Sequence, residues 1–327
     1  MKVAVIGYGS IGKRHVQNLL SYSNTEIIIC TKQKNISIPS KKIKFVNSLS
    51  ECIKEKPKIA LISNVSSLHL QTAIKLAHAG IDLFIEKPLS NSLKGTKELS
   101  KIITEKKLVT QMGCQLRFHK CIKKIKNLLS NKKIGKILSI QVDCGSFLPE
   151  WHPYEDYSKG YAAKNELGGG VVLTCIHEID YLYWFFGDVS EVFSITEKVS
   201  NLKITSDDLS SSLIKFKNDI ICELHLDFFQ KPSFRSCKVI GTKGVIYWDS
   251  DSNIVKLYDF NKNKWIKILN LPDFERNSMY KEELSHFFTC VKKRKITINP
   301  VHTDGIKTLQ IALALIKSSK TKKMIQL

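Results

Sequence analysis

The chain has 327 residues, 43% of them hydrophobic, and a formal net charge of +21. That length suits two domains, each with apolar material for its own core. No run of about 18 apolar residues is present, so no membrane-spanning helix is expected. The apolar start Lys2–Ile6 is shorter than a signal peptide's apolar core and runs straight into a glycine turn, so it reads as a buried strand. The nine cysteines are scattered from Cys30 to Cys290 without a C-x-x-C pair, which points to a reducing cytoplasm, no disulfide framework and no structural zinc. The charge alone would admit nucleic acid or an anionic substrate. Only five of the 51 basic residues are arginine, however: Arg14, Arg117, Arg235, Arg276 and Arg294. Base and phosphate recognition favours arginine's fork, and no nucleic-acid motif accompanies the charge, so lysine here reads as solvated surface.

The first third alternates short β-branched runs with amphipathic stretches. Strands are expected at 3–6, 27–30, 43–46, 59–63, 83–85 and 108–112. Ile11, His15, Val16 and Leu19 share one helix face. Leu70, Ile74 and Ala77 share another, with Gly80 closing that helix. Such alternation implies a doubly wound parallel sheet with right-handed crossovers. After Phe118 the pattern changes. A lysine-rich helix (119–130) leads to a strand (137–144), a loop rich in aromatics and glycine (146–170) and a helix (176–186). Strands then follow one another at 192–198, 209–217, 220–229, 236–240, 245–248, 254–260 and 265–269, with tight turns at Asn218-Asp219 and Gly241–Gly244. An open, mostly antiparallel sheet is expected there, closed by helices near 280–292 and 304–317. The expected division is a dinucleotide-binding Rossmann domain over 1–118 and a substrate-binding and oligomerisation α/β domain over 119–327.

Gly7-Tyr8-Gly9-Ser10-Ile11-Gly12 follows the first strand and opens a helix. Gly7 allows the tight turn, Gly9 allows a pyrophosphate to approach the backbone, and Gly12 allows helix and strand to pack closely. The helix N-terminus then offers unpaired N–H groups and a positive dipole end to the phosphates. The second strand departs from the usual pattern. No acidic residue lies between Glu26 and Glu51, and Thr31, Lys32 and Lys34 stand where a ribose-binding carboxylate belongs. A 2′-phosphate is tolerated by such a site, so the cofactor is NAD or NADP.

Glu86-Lys87-Pro88 ends the strand Ile81–Ile85. A hydride leaves a carbinol carbon only as its hydroxyl proton is taken up, and a lysine ammonium there stabilises the developing alkoxide. His177 and Asp180, an i, i+3 pair, follow Gly168-Gly169-Gly170. A histidine oriented by a carboxylate suits general acid–base work near neutral pH. Trp151, Tyr154 and Tyr161 lie in the long preceding loop, either as a lid that stacks on a sugar or base or as a small satellite core. His69, His78 and Cys114 show no ligand spacing, and no metal is assigned.

Together these residues resemble the Gfo/Idh/MocA oxidoreductases. The resemblance spans essentially the whole chain and rests on Gly7-x-Gly9-x-x-Gly12 with Arg14-His15, Asn64…His69, Glu86-Lys87-Pro88 and Gly168–Gly170…His177-x-x-Asp180. It implies NAD(P)-dependent hydride transfer on a sugar, cyclitol or nucleotide sugar, and a homo-oligomer, dimer or tetramer, built on the open sheet. By family role Lys87 is the catalytic lysine, His177 the acid/base, Asn64, His69 and Glu86 part of the cofactor cleft, and Arg117 with Phe118 the domain junction, where Arg117 meets substrate. Members often carry an aspartate four residues before the histidine. Here Thr174 stands nearest that place, and Asp180 is the expected substitute. The 151–161 loop resembles members from surface-sugar biosynthesis. An NAD-dependent glycoside hydrolase of the same fold and a cofactor-binding sensor without turnover are the alternatives.

Overall fold

The computed structural model describes every residue except Asn35, Ser37 and Pro39. The chain forms two compact units: Met1–Cys114 with Tyr280–Ile306, and Gln115–Met279 with Lys307–Leu327.

The first unit alternates β1 (Lys2–Ile6), α1 (Ser10–Leu20), β2 (Glu26–Cys30), β3 (Ile43–Val46), α2 (Leu49–Lys54), β4 (Ile59–Ile62), α3 (Ser66–His78), β5 (Asp82–Glu86), α4 (Thr96–Glu105) and β6 (Thr110–Gly113). The six strands are all parallel, in the order β3-β2-β1-β4-β5-β6. β4 and β5 are buried at every position, as strands covered on both faces must be. The order reverses between β1 and β4, and the crevice beyond their carboxyl ends is where open α/β sheets bind ligands. Helix α2 escapes the periodicity reading because its six residues make under two turns. Ser48 caps it by accepting from the Glu51 N–H, while the Glu51 carboxylate accepts from the Asn47 N–H.

The sequence division places residues 280–306 in the second domain, whereas the fold returns them to the first unit. Leu284, Phe287, Cys290 and Val291 pack in one apolar cluster with Val3, Val5, Val16, Ile27, Ile59 and Leu61. Arg294 holds the segment down, with Nη1 2.6 Å from Asp82 Oδ2 and Nη2 donating to the Lys107 carbonyl. The periodicity of that late helix shows an apolar face but not which core receives it.

The second unit contains α5 (Lys120–Ser130), β7 (Ile137–Gly145), α6 (Val171–Thr174), α7 (His177–Phe186), β8 (Val189–Glu197), β9 (Leu209–Phe216), β10 (Ile221–Asp227), β11 (Phe234–Gly241), β12 (Gly244–Asp249), β13 (Ile254–Asp259), β14 (Lys264–Asn270) and, after α8 (Asn277–Lys293) and α9 (Ile306–Thr321), β15 (Ile325–Gln326). The strand order is β14-β13-β12-β11-β7-β10-β9-β8-β15. All neighbours are antiparallel except β7 and β10, whose parallel pairing needs the long connection through α6, α7, β8 and β9. Alternate residues of β9 and β10 are buried, and Ile195, Leu213, Ile221 and Trp265 remain exposed.

His119 caps α5: its Nδ1 accepts from the Cys121 N–H at 3.1 Å, and its ring lies 4.3 Å from that of Phe274. Burial, reinforced by the nearby Arg235 charge, pushes its pKa down to about 4. A folded-state pKa below the unfolded one means that the unfolded chain takes the proton first. Stability is therefore full above about pH 6.5 and falls as the pH drops toward 4, by on the order of 3 kcal/mol. His119→Asn keeps a capping side chain without this proton. It should flatten that part of the pH dependence of the denaturant midpoint, relative to wild type.

Candidate functional site

In the first unit, the three fingerprint glycines separate by cause. At Gly7 (φ +95°) a Cβ would lie 2.7 Å from the Asn64 backbone, and at Gly12 it would lie 2.3 Å from the Gly7 carbonyl oxygen. Packing therefore forbids a side chain at both. At Gly9 a Cβ would meet nothing within 4 Å, and the backbone, at φ −78°, is ordinary. The fold does not need a glycine there, which leaves the backbone open to an approaching ligand. Helix α1 begins at this point with no side-chain cap and no acidic residue in its first turn, so its leading N–H groups are left for an anion. Gly12→Ala should lower the melting temperature of the first unit. Gly9→Ala should leave melting unchanged and weaken NADH binding about tenfold or more, read by fluorescence titration.

Tyr8 and Ile11 are half-buried and Ser10 is exposed at the same helix mouth. Beyond β2, Thr31 donates its N–H to the Val46 carbonyl and Lys32 is exposed. The next carboxylate, Glu51, is engaged in capping α2. Asn64 follows β4 and donates Nδ2 to Thr72 Oγ1 at 3.1 Å. Its buried Oδ1 accepts no hydrogen bond from the described residues, which suits a donor such as a ribose hydroxyl. His69 bridges two loops, with Nε2 2.9 Å from the Asn64 carbonyl and Nδ1 2.8 Å from the Pro88 carbonyl. Only a doubly protonated ring could donate to both, and burial opposes that by lowering the pKa, so the neutral ring serves one of them at a time.

The chain from Ile81 to Ser90 is buried at every position but Lys87, which is half-exposed. The Lys87–Pro88 bond is cis. Glu86 turns inward: its Oε1 lies 2.7 Å from Nε2 of the fully buried His15 on α1. A Cβ on Gly113 would come within 2.9 Å of the Glu86 carboxyl carbon, so this glycine makes room for the pair. The His15–Glu86 link ties the cofactor helix to the residue beside Lys87. The only trace of it in the sequence was a histidine on an otherwise apolar helix face.

In the second unit, α7 opens with His177, 5% exposed, and Glu178 and Asp180 in its first turn. Asp180 was expected as the carboxylate that supports the histidine. It is gripped bidentately by Arg117, Nε to Oδ2 and Nη2 to Oδ1, both at 2.8 Å. Arg117 lies in the 3₁₀ turn Gln115–Phe118, is 0% exposed and sits 5.5 Å from the centre of the Trp184 ring. Its guanidinium is thus built into the fold. Thr174, at the end of α6, is buried.

In the run Gly168-Gly169-Gly170, Gly169 and Gly170 are tightly packed. A Cβ at Gly169 would lie 2.3 Å from the Tyr161 carbonyl oxygen, and at Gly170 2.5 Å from Asp207 Oδ1. The Asp207 carboxylate accepts from the Val171 N–H at 2.7 Å and anchors the start of α6. Of the loop aromatics, Trp151 is tied down, donating Nε1 to Ser146 Oγ with its ring edge-on to Phe228. Tyr154 is 73% exposed, and Tyr161 is half-buried. Among the described residues no group of three or more His, Cys, Asp or Glu side chains could hold a metal, and no helix is long and apolar enough to cross a membrane.

Comparison with known proteins follows the same division. Residues 1–114 match the model of an oxidoreductase family with an NAD-binding Rossmann fold, and residues 122–247 match a GFO/IDH/MocA C-terminal domain. The inositol 2-dehydrogenase/D-chiro-inositol 3-dehydrogenase of Lacticaseibacillus casei is 26% identical over 339 residues, covering 99% of this chain and 94% of that protein. Among solved structures, a levoglucosan dehydrogenase in complex with NADH is similar with a TM-score of 0.89 at 15% identity, over 100% of this chain and 98% of that one. The WlbA dehydrogenase from Bordetella pertussis, in complex with NADH and UDP-GlcNAcA, is similar with a TM-score of 0.82 at 18% identity, over 100% and 97%.

Proposed function

The chain belongs to the Gfo/Idh/MocA family of oxidoreductases, with an NAD-binding Rossmann domain at its N-terminus, and we propose that within this family it oxidises or reduces a hydroxyl or keto carbon of a sugar or nucleotide sugar. The observation that carries the reading is Lys87, the one unburied residue in the buried run Ile81–Ser90, directly after β5 of the parallel sheet.

Gly7, Gly9, the N-terminus of α1 and Asn64 would hold the dinucleotide, which supplies hydride acceptance or donation when bound. Lys87 would donate to the substrate oxygen and stabilise the alkoxide as charge develops on it. His177 would take up or return the hydroxyl proton, a role worth on the order of 10²–10⁴-fold in rate. Thr174, Trp151, Tyr154 and Tyr161 would shape the substrate's surroundings, with Tyr154 the most open to stack on a sugar ring. Arg117 and Asp180 would position α7 rather than touch substrate. A nucleotide sugar is favoured among substrates by the loop over 151–161 and by the complex of WlbA with UDP-GlcNAcA.

The test is substrate-dependent change at the reduced-nicotinamide absorbance band, with NAD and NADP in parallel, over a panel of inositols, hexoses, 1,5-anhydro sugars and UDP-sugars. Turnover with at least one member, lost in His177→Ala, is expected. Cofactor binding with no turnover across the panel would contradict the reading, and release of a free aglycone without net reduced cofactor would replace it with the hydrolase.

A further inference from the structure

Glu178, the residue after His177, is 0% exposed. Nε of Arg235 lies 2.5 Å from its Oε1, charge against charge. Arg235 comes from β11 and is itself anchored: Nη2 donates to Cys144 Sγ on the neighbouring β7, and its backbone N–H donates to Ser250 Oγ. Two residues beyond Glu178, Asp180 meets Arg117 from the 3₁₀ turn. The first turn of α7 thus carries two carboxylates, each held by a guanidinium from a different element. Two of only five arginines are used here, in a chain whose default cation is lysine. The Arg117–Asp180 contact is bidentate, a geometry that lysine's point charge cannot reproduce.

Helical geometry gives these clamps a common object. Successive residues turn by about 100°, so Glu178 points about 100° to one side of His177 and Asp180 about 60° to the other. His177 lies between the two restrained directions. We propose that Glu178 and Arg235 are positioning residues for His177: their ion pair fixes the rotation of the first turn of α7 and with it the imidazole. This deepens, and rests on, the reading of His177 as proton carrier.

The test uses the full chain with NADH bound and its histidines labelled at Cε1. The His177 resonance is the one of nine that disappears in His177→Asn. The other charged and titratable groups described around α7 are Asp180 and Tyr181 on the helix, Arg117 from the 3₁₀ turn, Lys126 from α5, Cys175 before the helix, and Cys144 and Cys237 on the sheet. None is altered in the variants. Arg235→Met removes the guanidinium beside the Glu178 carboxylate and should raise the titration midpoint of His177; Glu178→Gln removes that carboxylate and should lower it. The double variant carries neither charge and should return the midpoint to within a few tenths of wild type. With the best panel substrate, each single variant should lose about tenfold in kcat with KM within about twofold.

A merely structural pair would lower the melting temperature and, through its charges alone, still shift the midpoints, but it would leave kcat unchanged at the pH where His177 is fully in its working form; that outcome overturns the proposal. Folded single variants with an unmoved His177 resonance and midpoint overturn the proposal. Glu178→Gln is nearly isosteric and the double variant buries no lone charge, so folding does not block the test. Unmoved midpoints together with an inactive His177→Asn defeat the pair alone. A fully active His177→Asn defeats the proton-carrier reading instead.

Discussion

Lys87→Met is expected to cut turnover by about 10³-fold or more while NADH still binds within a few-fold of wild type. The substitution keeps the length and apolar stem of the side chain and removes only the ammonium. Neighbouring Glu86 has its own partner in His15, so the strand end should hold its shape. What would disappear, on the proposed mechanism, is the cation at the substrate oxygen. Loss of one such donor costs on the order of 10²–10³-fold, and proton transfer contributes separately. Lys87→Arg should recover little, because a planar fork cannot occupy the place of a compact point charge. Steady-state rates with the best panel substrate, set beside NADH fluorescence titrations, separate the two effects. A variant that binds and turns over normally would leave Lys87 as ordinary surface lysine, one of many in this chain.

Arg117→Met should lower the melting temperature of the second unit by roughly 10 °C. Both partners of the Arg117–Asp180 pair are buried, so the variant takes from an interior carboxylate its bidentate partner. Breaking such a pair costs about 3–5 kcal/mol, and each kcal/mol is worth roughly 2–4 °C in a unit of this size. Arg117→Met/Asp180→Leu removes both charges and should regain most of the loss, since apolar replacement of a whole buried pair is often neutral. A substrate-binding arginine would behave otherwise: KM would rise while melting stayed put. Calorimetry of the two variants, with the transition of the second unit followed separately from the first, decides between these outcomes.

The contrast between these two residues shows what could be read from the chain alone. The place of Lys87 at a strand end was legible because its surroundings are local: an apolar strand and a proline mark it. The parallel sheet was legible for the same reason, each strand being a short β-branched run between amphipathic helices. Asp180 was legible as a helix-face residue but not in its partner, because Arg117 is 63 residues away and only the fold brings them together. Glu86 with His15 and Glu178 with Arg235 were hidden in the same way. One signal was available. When lysine supplies nearly all the positive charge, an arginine can mark a specific contact, as four of the five do here: Arg117 and Arg235 face carboxylates of α7, Arg294 holds Asp82, and Arg14 lies over Tyr280. The glycines of 168–170 taught the reverse lesson. A run of three glycines suggests freedom, yet Gly169 and Gly170 record close packing against carbonyls and a carboxylate. The parallel pairing of β7 with β10 was likewise beyond local reading, since antiparallel turns between other strands say nothing about which strand fills the centre.

Hydride transfer itself is the claim on which the rest depends, and isotope transfer reads it directly. The full chain is incubated with NAD⁺ and panel members deuterated at every carbon-bound position, and the cofactor is analysed by mass spectrometry. Deuterium is expected on the reduced nicotinamide for at least one sugar or nucleotide sugar, and at least about 10³-fold more slowly in Lys87→Met. Reduced cofactor without the label, or a converted substrate with the label released to water, would contradict it.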